Sequence, residues 1–257
     1  MRKTLCLPIL MALALGAMPS WADQVAEVMK LAVQGDAGAQ TDLGVRYMYG
    51  DGIPKNYVNA SKWLRRAAEQ GNVLAEFNLG LMNANGEGGP VNYGEAAKWY
   101  KKAAVRGDMQ ARLNLALMYT KGEGVPRNYR EAAYWFRLAA GQGDAAAQFH
   151  LGVMSLNGEG AEQSYTDAEE WFRKAALLGD PAAQYHLGLL YLGGHGVPED
   201  HQAAYLWFVL AAQQGNEASL SLMDQVESEL TKEQIAAVQQ RAAEWRPVKT
   251  SKPKTRS

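Results

Sequence analysis

Cysteine is almost missing from this 257-residue sequence: Cys6 is the only one. A lone thiol excludes a disulfide scaffold, an iron–sulfur site and a thiolate zinc site. An excess of charge is missing too, since 26 basic residues face 27 acidic ones for a net charge of −1. The basic surplus carried by nucleic-acid-binding domains is therefore absent. No apolar run is long enough to span a bilayer; the longest, residues 4–18, is broken by Thr4, Pro8 and Gly16. What remains is 47% apolar and 21% charged, neither a disordered tail nor a membrane bundle, and long enough to bury a core. Two residue types are abundant, with 26 glycines and seven tryptophans, and both recur at regular positions.

The first 22 residues read as a targeting segment. Arg2 and Lys3 precede the apolar stretch, and Ser20-Trp21-Ala22 places small residues at the −3 and −1 positions of a signal-peptidase site. Cleavage after Ala22 would leave a mature chain without cysteine. Cys6 lies inside the apolar stretch, which argues against lipid attachment.

Beyond it, one pattern is written five times. Gly35, Gly71, Gly107, Gly143, Gly179 and Gly215 recur every 36 residues without insertion or deletion, and Trp63, Trp99, Trp135, Trp171 and Trp207 keep the same step. Such strict periodicity is the mark of a solenoid. Each unit predicts two helices. Asp36, Asn72, Asp108, Asp144 and Asp180 are N-caps for helix A, which ends at Gly50 and its equivalents. Asn56, Asn92, Asn128, Ser164 and Asp200 then cap helix B. On helix A, Ala39, Leu43, Gly44 and Tyr47 share a stripe, the glycine column letting two backbones approach. On helix B, Ala60, Trp63 and Ala67 form the matching stripe, with the indole expected to fill the gap between repeats.

The motif resembles the Sel-one-like repeat (SLR) family, seen in the third unit as Ala111 to Tyr119, Gly122-Glu123-Gly124-Val125-Pro126 and Ala132 to Gly143. The resemblance covers residues 35–215, with local departures at Ala116, Glu162 and His201. It implies an all-α fold: a right-handed α/α superhelical solenoid of five 36-residue helix-turn-helix repeats, with helical caps at both ends. It also implies a tetratricopeptide-like protein that binds other proteins. The predicted organisation is a signal peptide (1–22), an N-terminal capping helix (23–34) and five repeats (35–70, 71–106, 107–142, 143–178, 179–214). Capping helices (215–245) and a disordered basic tail (246–257) follow. The last helix B carries Leu206, Val209 and Leu210 where the first carries Lys62, Arg65 and Arg66. Leu220, Leu222, Leu230, Ile235 and Val238 are expected to cover it, with Thr231 and Gln234 opening the final helix in a capping box.

Catalytic signatures are not found. His150 and His186 occupy one register and would stack about 10 Å apart, too far for a shared metal, so they read as a polar column on an exposed face. His195 and the loop acids Asp51, Glu87, Glu123 and Glu159 are whole repeats apart and form no catalytic dyad. Some secreted SLR proteins are linked to penicillin binding, but the Ser-x-x-Lys signature occurs only as Ser251-Lys252-Pro253-Lys254 in the tail. No catalytic residue, metal site or cofactor is expected.

Partner binding is the expected activity. On helix A, Phe77, Leu113, Phe149 and Tyr185 form one column, and Leu81, Leu117, Val153 and Leu189 the column one turn on. The resemblance places this face, with His150 and His186, in a concave groove that recognises a peptide or helix. A second candidate is the basic outer face of helix B: Lys62, Arg65, Arg66, Lys98, Lys101 and Lys102. Residues 46–137 carry 14 basic and 8 acidic residues, whereas 138–231 carry 2 and 13. The expected function is an exported, non-catalytic adaptor acting on another protein in the periplasm, or alternatively once secreted. The rivals are a cell-wall or β-lactam-acting enzyme of the penicillin-binding type and an envelope signalling regulator.

Overall fold

A computed structural model describes residues 21–248. Residues 1–20 of the expected signal segment and 249–257 of the expected tail, including Ser251, lie outside the described residues. Those described form thirteen α-helices and no strand. Helix α1 (Trp21–Val33) starts two residues before the expected cap. The A helices are α2 (Ala37–Tyr49), α4 (Val73–Asn85), α6 (Met109–Lys121), α8 (Ala145–Asn157) and α10 (Pro181–Gly193). The B helices are α3 (Tyr57–Glu69), α5 (Tyr93–Val105), α7 (Tyr129–Ala140), α9 (Tyr165–Leu177) and α11 (His201–Gln213). Helices α12 (Glu217–Glu227) and α13 (Lys232–Glu244) close the chain.

Local chemistry sets these boundaries. The Asp36 carboxylate accepts from the Ala39 amide at 2.6 Å, and the N-caps of the other A helices repeat this contact, each supplying an orphan amide with an acceptor. Gly50 stops α2 in the left-handed region at φ 79°, its amide donating to Arg46 C=O; only glycine enters that region without strain. Asn56 starts α3 the same way through the Asn59 amide. Both helices of a unit are thus bounded by side-chain caps and glycine.

The space between the two helices of one unit is filled by the residues that follow the tryptophans: Leu64, Tyr100, Phe136, Phe172 and Phe208, all buried. The helix-A glycines exist for these residues. A Cβ on Gly80 would sit 2.5 Å from the Tyr100 ring, and one on Gly152 or Gly188 about as close to Phe172 or Phe208. The repeat tryptophans lie at the boundaries between units, as expected, each packed on a core cluster that crosses its boundary; four are half-buried there and Trp135 is enclosed, at 5% exposed. The reason is angular: Ala60, Leu64 and Ala67 stand at i, i+4 and i+7, so Leu64 lies over the centre of the stripe and Trp63 about 100° away.

Successive units are joined by polar contacts at the repeat boundary. Gln40, Gln148 and Gln184 each donate from Nε2 to a carbonyl eight residues earlier, at the end of the preceding helix B (α1 for Gln40). Arg112 makes the same contact with Ala104 C=O at 3.0 Å. Gln70 and Gln214 complete the joint by donating to Gln40 and Gln184 at 2.8 Å. At the second joint Glu76 replaces the donor, and at the fourth Leu178 replaces the outer glutamine. The A helices of successive units also pack directly, α2 on α4, α4 on α6 and α8 on α10, while no two B helices pack so closely. The A helices therefore lie on the inside of the curve.

The ends are covered. At the C-terminus Leu206, Val209 and Leu210 are buried beneath Val226, Val238 and Ala242, and Thr231 and Gln234 form the full capping box. One expectation fails there. Leu220 does not join this cover but is 54% exposed on α12, because Ser219 and Val226 take the buried face of that helix. Beyond α13, the Val248 amide donates to Leu177 C=O at 2.8 Å and Pro247 lies against Gly179.

Candidate interaction surfaces

The inner face is built by the A helices. Phe77, Leu81, Leu113, Leu117, Phe149, Val153, Tyr185 and Leu189 are all half-buried there: each packs one side inward and shows the other to solvent. Phe77 is tilted against Tyr100 at 5.8 Å, Phe149 against Phe172 at 5.8 Å and Tyr185 against Phe208 at 6.1 Å. Each inner aromatic thus rests on the buried ring of its own unit. The described A helices carry very few charges, Asp42, Arg46, Glu76, Arg112 and Lys121, so the face from α8 to α10 has none.

His150 and His186 are not an exposed polar column. Both are half-buried and lie parallel to a ring of the preceding unit, His150 on Phe136 and His186 on Phe172, each at 5.0 Å. Phe149 contacts both imidazoles, at 5.4 and 5.6 Å, which links the two units in one aromatic ladder. Burial pushes both histidines below their ordinary range, with Asp180 pulling each partly back. Sequence spacing puts both in one register but does not give their surroundings, since the ring partner comes from the neighbouring helix B.

The basic outer face is exposed at all six positions, Lys62, Arg65, Arg66, Lys98, Lys101 and Lys102. Several are engaged. The Arg66 guanidinium lies 4.8 Å over Trp63 and the Lys102 ammonium 4.0 Å over Trp99, and Lys174 repeats this on Trp171 at 4.2 Å. The flanking tryptophans are therefore platforms for cations, a contact worth about 0.5–1 kcal/mol on a surface. Lys98 pairs with Glu95 at 2.6 Å, holding that carboxyl below the usual carboxylate range.

Between α3 and α5, Lys98, Lys101 and Lys102 wall a cleft of about 730 Å³ with Glu69, Glu95 and Arg106, floored by Ala68, Trp99 and Val105. It was not foreseen in the sequence because its two walls are 30 residues apart. Glu76 lines it: the carboxylate is 2% exposed, 3.4 Å from Arg106 Nε but not aligned for a hydrogen bond. Burial pushes its pKa up, against the pull of Arg106 and Lys102. Among the described residues no group of three or more His, Cys, Asp or Glu side chains is placed to hold a metal, and no helix is long and apolar enough to cross a membrane.

Helix pairs of fixed length, joined edge to edge and capped at both ends, define an all-α repeat solenoid. Five Sel1 repeats match the chain, over residues 37–72, 73–108, 110–144, 145–180 and 181–216, and the protein belongs to the Sel1 repeat family. These units begin at the first residues of helix A rather than at the preceding glycine. Similar solved structures include two Sel1-type repeat proteins. The protective antigen c5321 of uropathogenic Escherichia coli, which displays an SLR fold, is 37% identical over 86% of this chain, with a TM-score of 0.78. A Sel1 repeat protein from Oxalobacter formigenes is 30% identical over 86% of this chain and 98% of its own, with a TM-score of 0.73. The chain spans 48% of the length of the E. coli protein. No curated protein matches the sequence. Sel1 repeat proteins are in general protein–protein interaction scaffolds.

Proposed function

We propose that the protein is an exported, non-catalytic adaptor that holds an apolar segment of another protein along its inner face. The observation carrying this reading is the column from Phe77 through Leu113 and Phe149 to Tyr185, half-buried and almost free of charge over four units. Aromatic side chains fixed on one side and exposed on the other make strong contacts at little entropic cost, because their rotamers are already held. The basic start and apolar stretch of residues 2–18 support export, and the absence of cysteine after residue 6 suits an oxidising compartment without depending on it.

Site-specific photo-crosslinking tests the groove. A photoreactive residue replacing Leu117 or Val153 should give discrete adducts in cell-envelope fractions, and the same residue at Lys62 should not. Adducts from Lys62 alone would move the site to the outer face and overturn the groove. Export is tested separately: deletion of residues 2–22 should leave the protein in the cytosolic fraction.

A further inference from the structure

Leu220 is an apolar side chain on the surface of a helix whose buried face is already occupied. Glu217 and Asp224, three residues before it and four after, share that exposed face. Beside them Leu220 and Met223 border a shallow apolar cleft with Val209 and Ala212. The C-terminal end therefore presents a leucine flanked by two carboxylates, neither of them in an ion pair among the described residues.

The other end presents the complement. The cleft between α3 and α5 has an apolar floor of Ala68, Trp99 and Val105, the last exposed. Of its charged walls, Lys98 is paired with Glu95, Arg106 with Glu76, and Lys102 lies over Trp99, while Lys101 and Glu69 line the cleft without an ion pair. The neighbouring face of α3 adds Lys62, Arg65 and Arg66. The two surfaces sit in halves of opposite sign, +6 for residues 46–137 and −11 for 138–231.

We infer that the occupant of this cleft is a second copy of the chain, with Leu220 of one molecule seated on the exposed Val105 of the next, beside the Trp99 ring that Lys102 covers. Glu217 and Asp224 then meet Lys101 and Lys102. The contact joins different surfaces, so it is heterologous: each molecule keeps one open cleft and one open stripe, and association runs head to tail instead of stopping at a symmetric dimer. Its charged rim makes it sensitive to salt. The inference is independent of the inner-face reading, since it uses neither the A-helix columns nor a foreign partner.

Sedimentation velocity of the full chain tests it. At about 20 mM salt the mean mass should rise with protein concentration, and at about 500 mM salt, where charges are screened beyond ~4 Å, it should return to the monomer. The variant Lys101→Glu/Lys102→Glu closes the cleft and Leu220→Ala removes the knob. Each alone should weaken self-association at least tenfold while the far-ultraviolet spectrum and melting temperature stay near those of the parent. Mixed in equal amounts, the two variants should form a complex that stops at two, because only the intact stripe of the first and the intact cleft of the second remain. A parent chain that stays monomeric at low salt would overturn the inference, leaving the cleft to an acidic partner of another kind. So would association that survives both variants, or a mixture that forms no pair.

Discussion

Helices α3 and α11 occupy the same place in the first and last repeats, yet their outer faces are opposite. Lys62, Arg65 and Arg66 are exposed on α3, while the equivalent Leu206, Val209 and Leu210 are buried on α11 beneath the terminal helices. Their inner faces hardly differ: Ala60, Leu64 and Ala67 match Ala204, Phe208 and Ala211, all buried. The repeat fixes what faces the neighbouring A helix and leaves the outer face to position along the rod. A solenoid unit buries its stripe only against neighbours, so the last one needs a cover and an apolar face to receive it.

Exchanging residues between these two helices should break the comparison with the largest effect. Leu210→Arg puts an unpaired charge at a position 2% exposed, and should lower stability by about 5 kcal/mol with loss of cap docking. The reverse change on α3, Arg66→Leu, removes only an exposed cation from Trp63 and should stay within about 1 kcal/mol. Urea titrations of both variants would show it. Equal losses would mean that α11 is not covered as described.

Adjacent residues of α9 give the next contrast. Phe172→Ala empties the space opened by Gly152 and should cost about 3–4 kcal/mol. Trp171→Ala removes the larger side chain but one that is half-buried under Lys174, and about 1 kcal/mol is expected. Thermal melts in the opposite order would restore the tryptophans to the centre of the core.

The difference between these neighbours also marks where sequence reading stops. The period, the caps and the glycine stops were legible because each is a local rule obeyed at a fixed spacing. Trp63 and its equivalents drew attention by rarity, yet Leu64 follows at the angle that alanine at i−4 and i+3 defines, and that signal was present. The surroundings of His150 and His186 were not legible. Their stacking partners, Phe136 and Phe172, come from the preceding helix B, and repeat spacing alone gives no crossing angle. The cleft above Glu76 and the exposure of Leu220 depend likewise on how helices distant in sequence meet.

The joints between repeats allow a finer comparison. Gln40 and Gln184 satisfy both a carbonyl and an outer glutamine, whereas Glu76 carries a charge where its counterparts donate. Glu76→Gln should therefore stabilise the protein at pH 7 by about 1–2 kcal/mol, by removing a buried carboxylate and restoring a donor to the end of α3. The pH dependence has a definite sign. Burial raises this carboxyl above the ordinary glutamate range, so the folded state binds the proton more tightly than the unfolded state does. Stability linked to Glu76 is present at low pH and is lost as pH rises through the raised pKa. The advantage of the glutamine variant should shrink as the solution is acidified toward pH 4.5. An advantage that grew on acidification would refute this account.

The fourth joint has the complementary defect. Gln148 donates to Ala140 C=O at 3.3 Å, but its Oε1 is buried without a donor, because Leu178 stands where Gln70 and Gln214 reach their partners. The backbone at Leu178, φ −80° and ψ −5°, is nearly that of Gln70 at −86° and 1°, so a glutamine there can adopt the same geometry. Leu178→Gln supplies the missing N–H. A hydrogen bond to a buried acceptor contributes about 1 kcal/mol, and exchanging a half-buried leucine takes back part of it, so a net gain of about 0.5 kcal/mol is expected. A double-mutant cycle with Gln148→Leu isolates the pair: once the acceptor is gone, Leu178→Gln should bring no gain. If the gain persists without Gln148, the glutamine acts on its own helix end, as Gln70 also does on Arg66 C=O, and the joint between repeats is not what it strengthens.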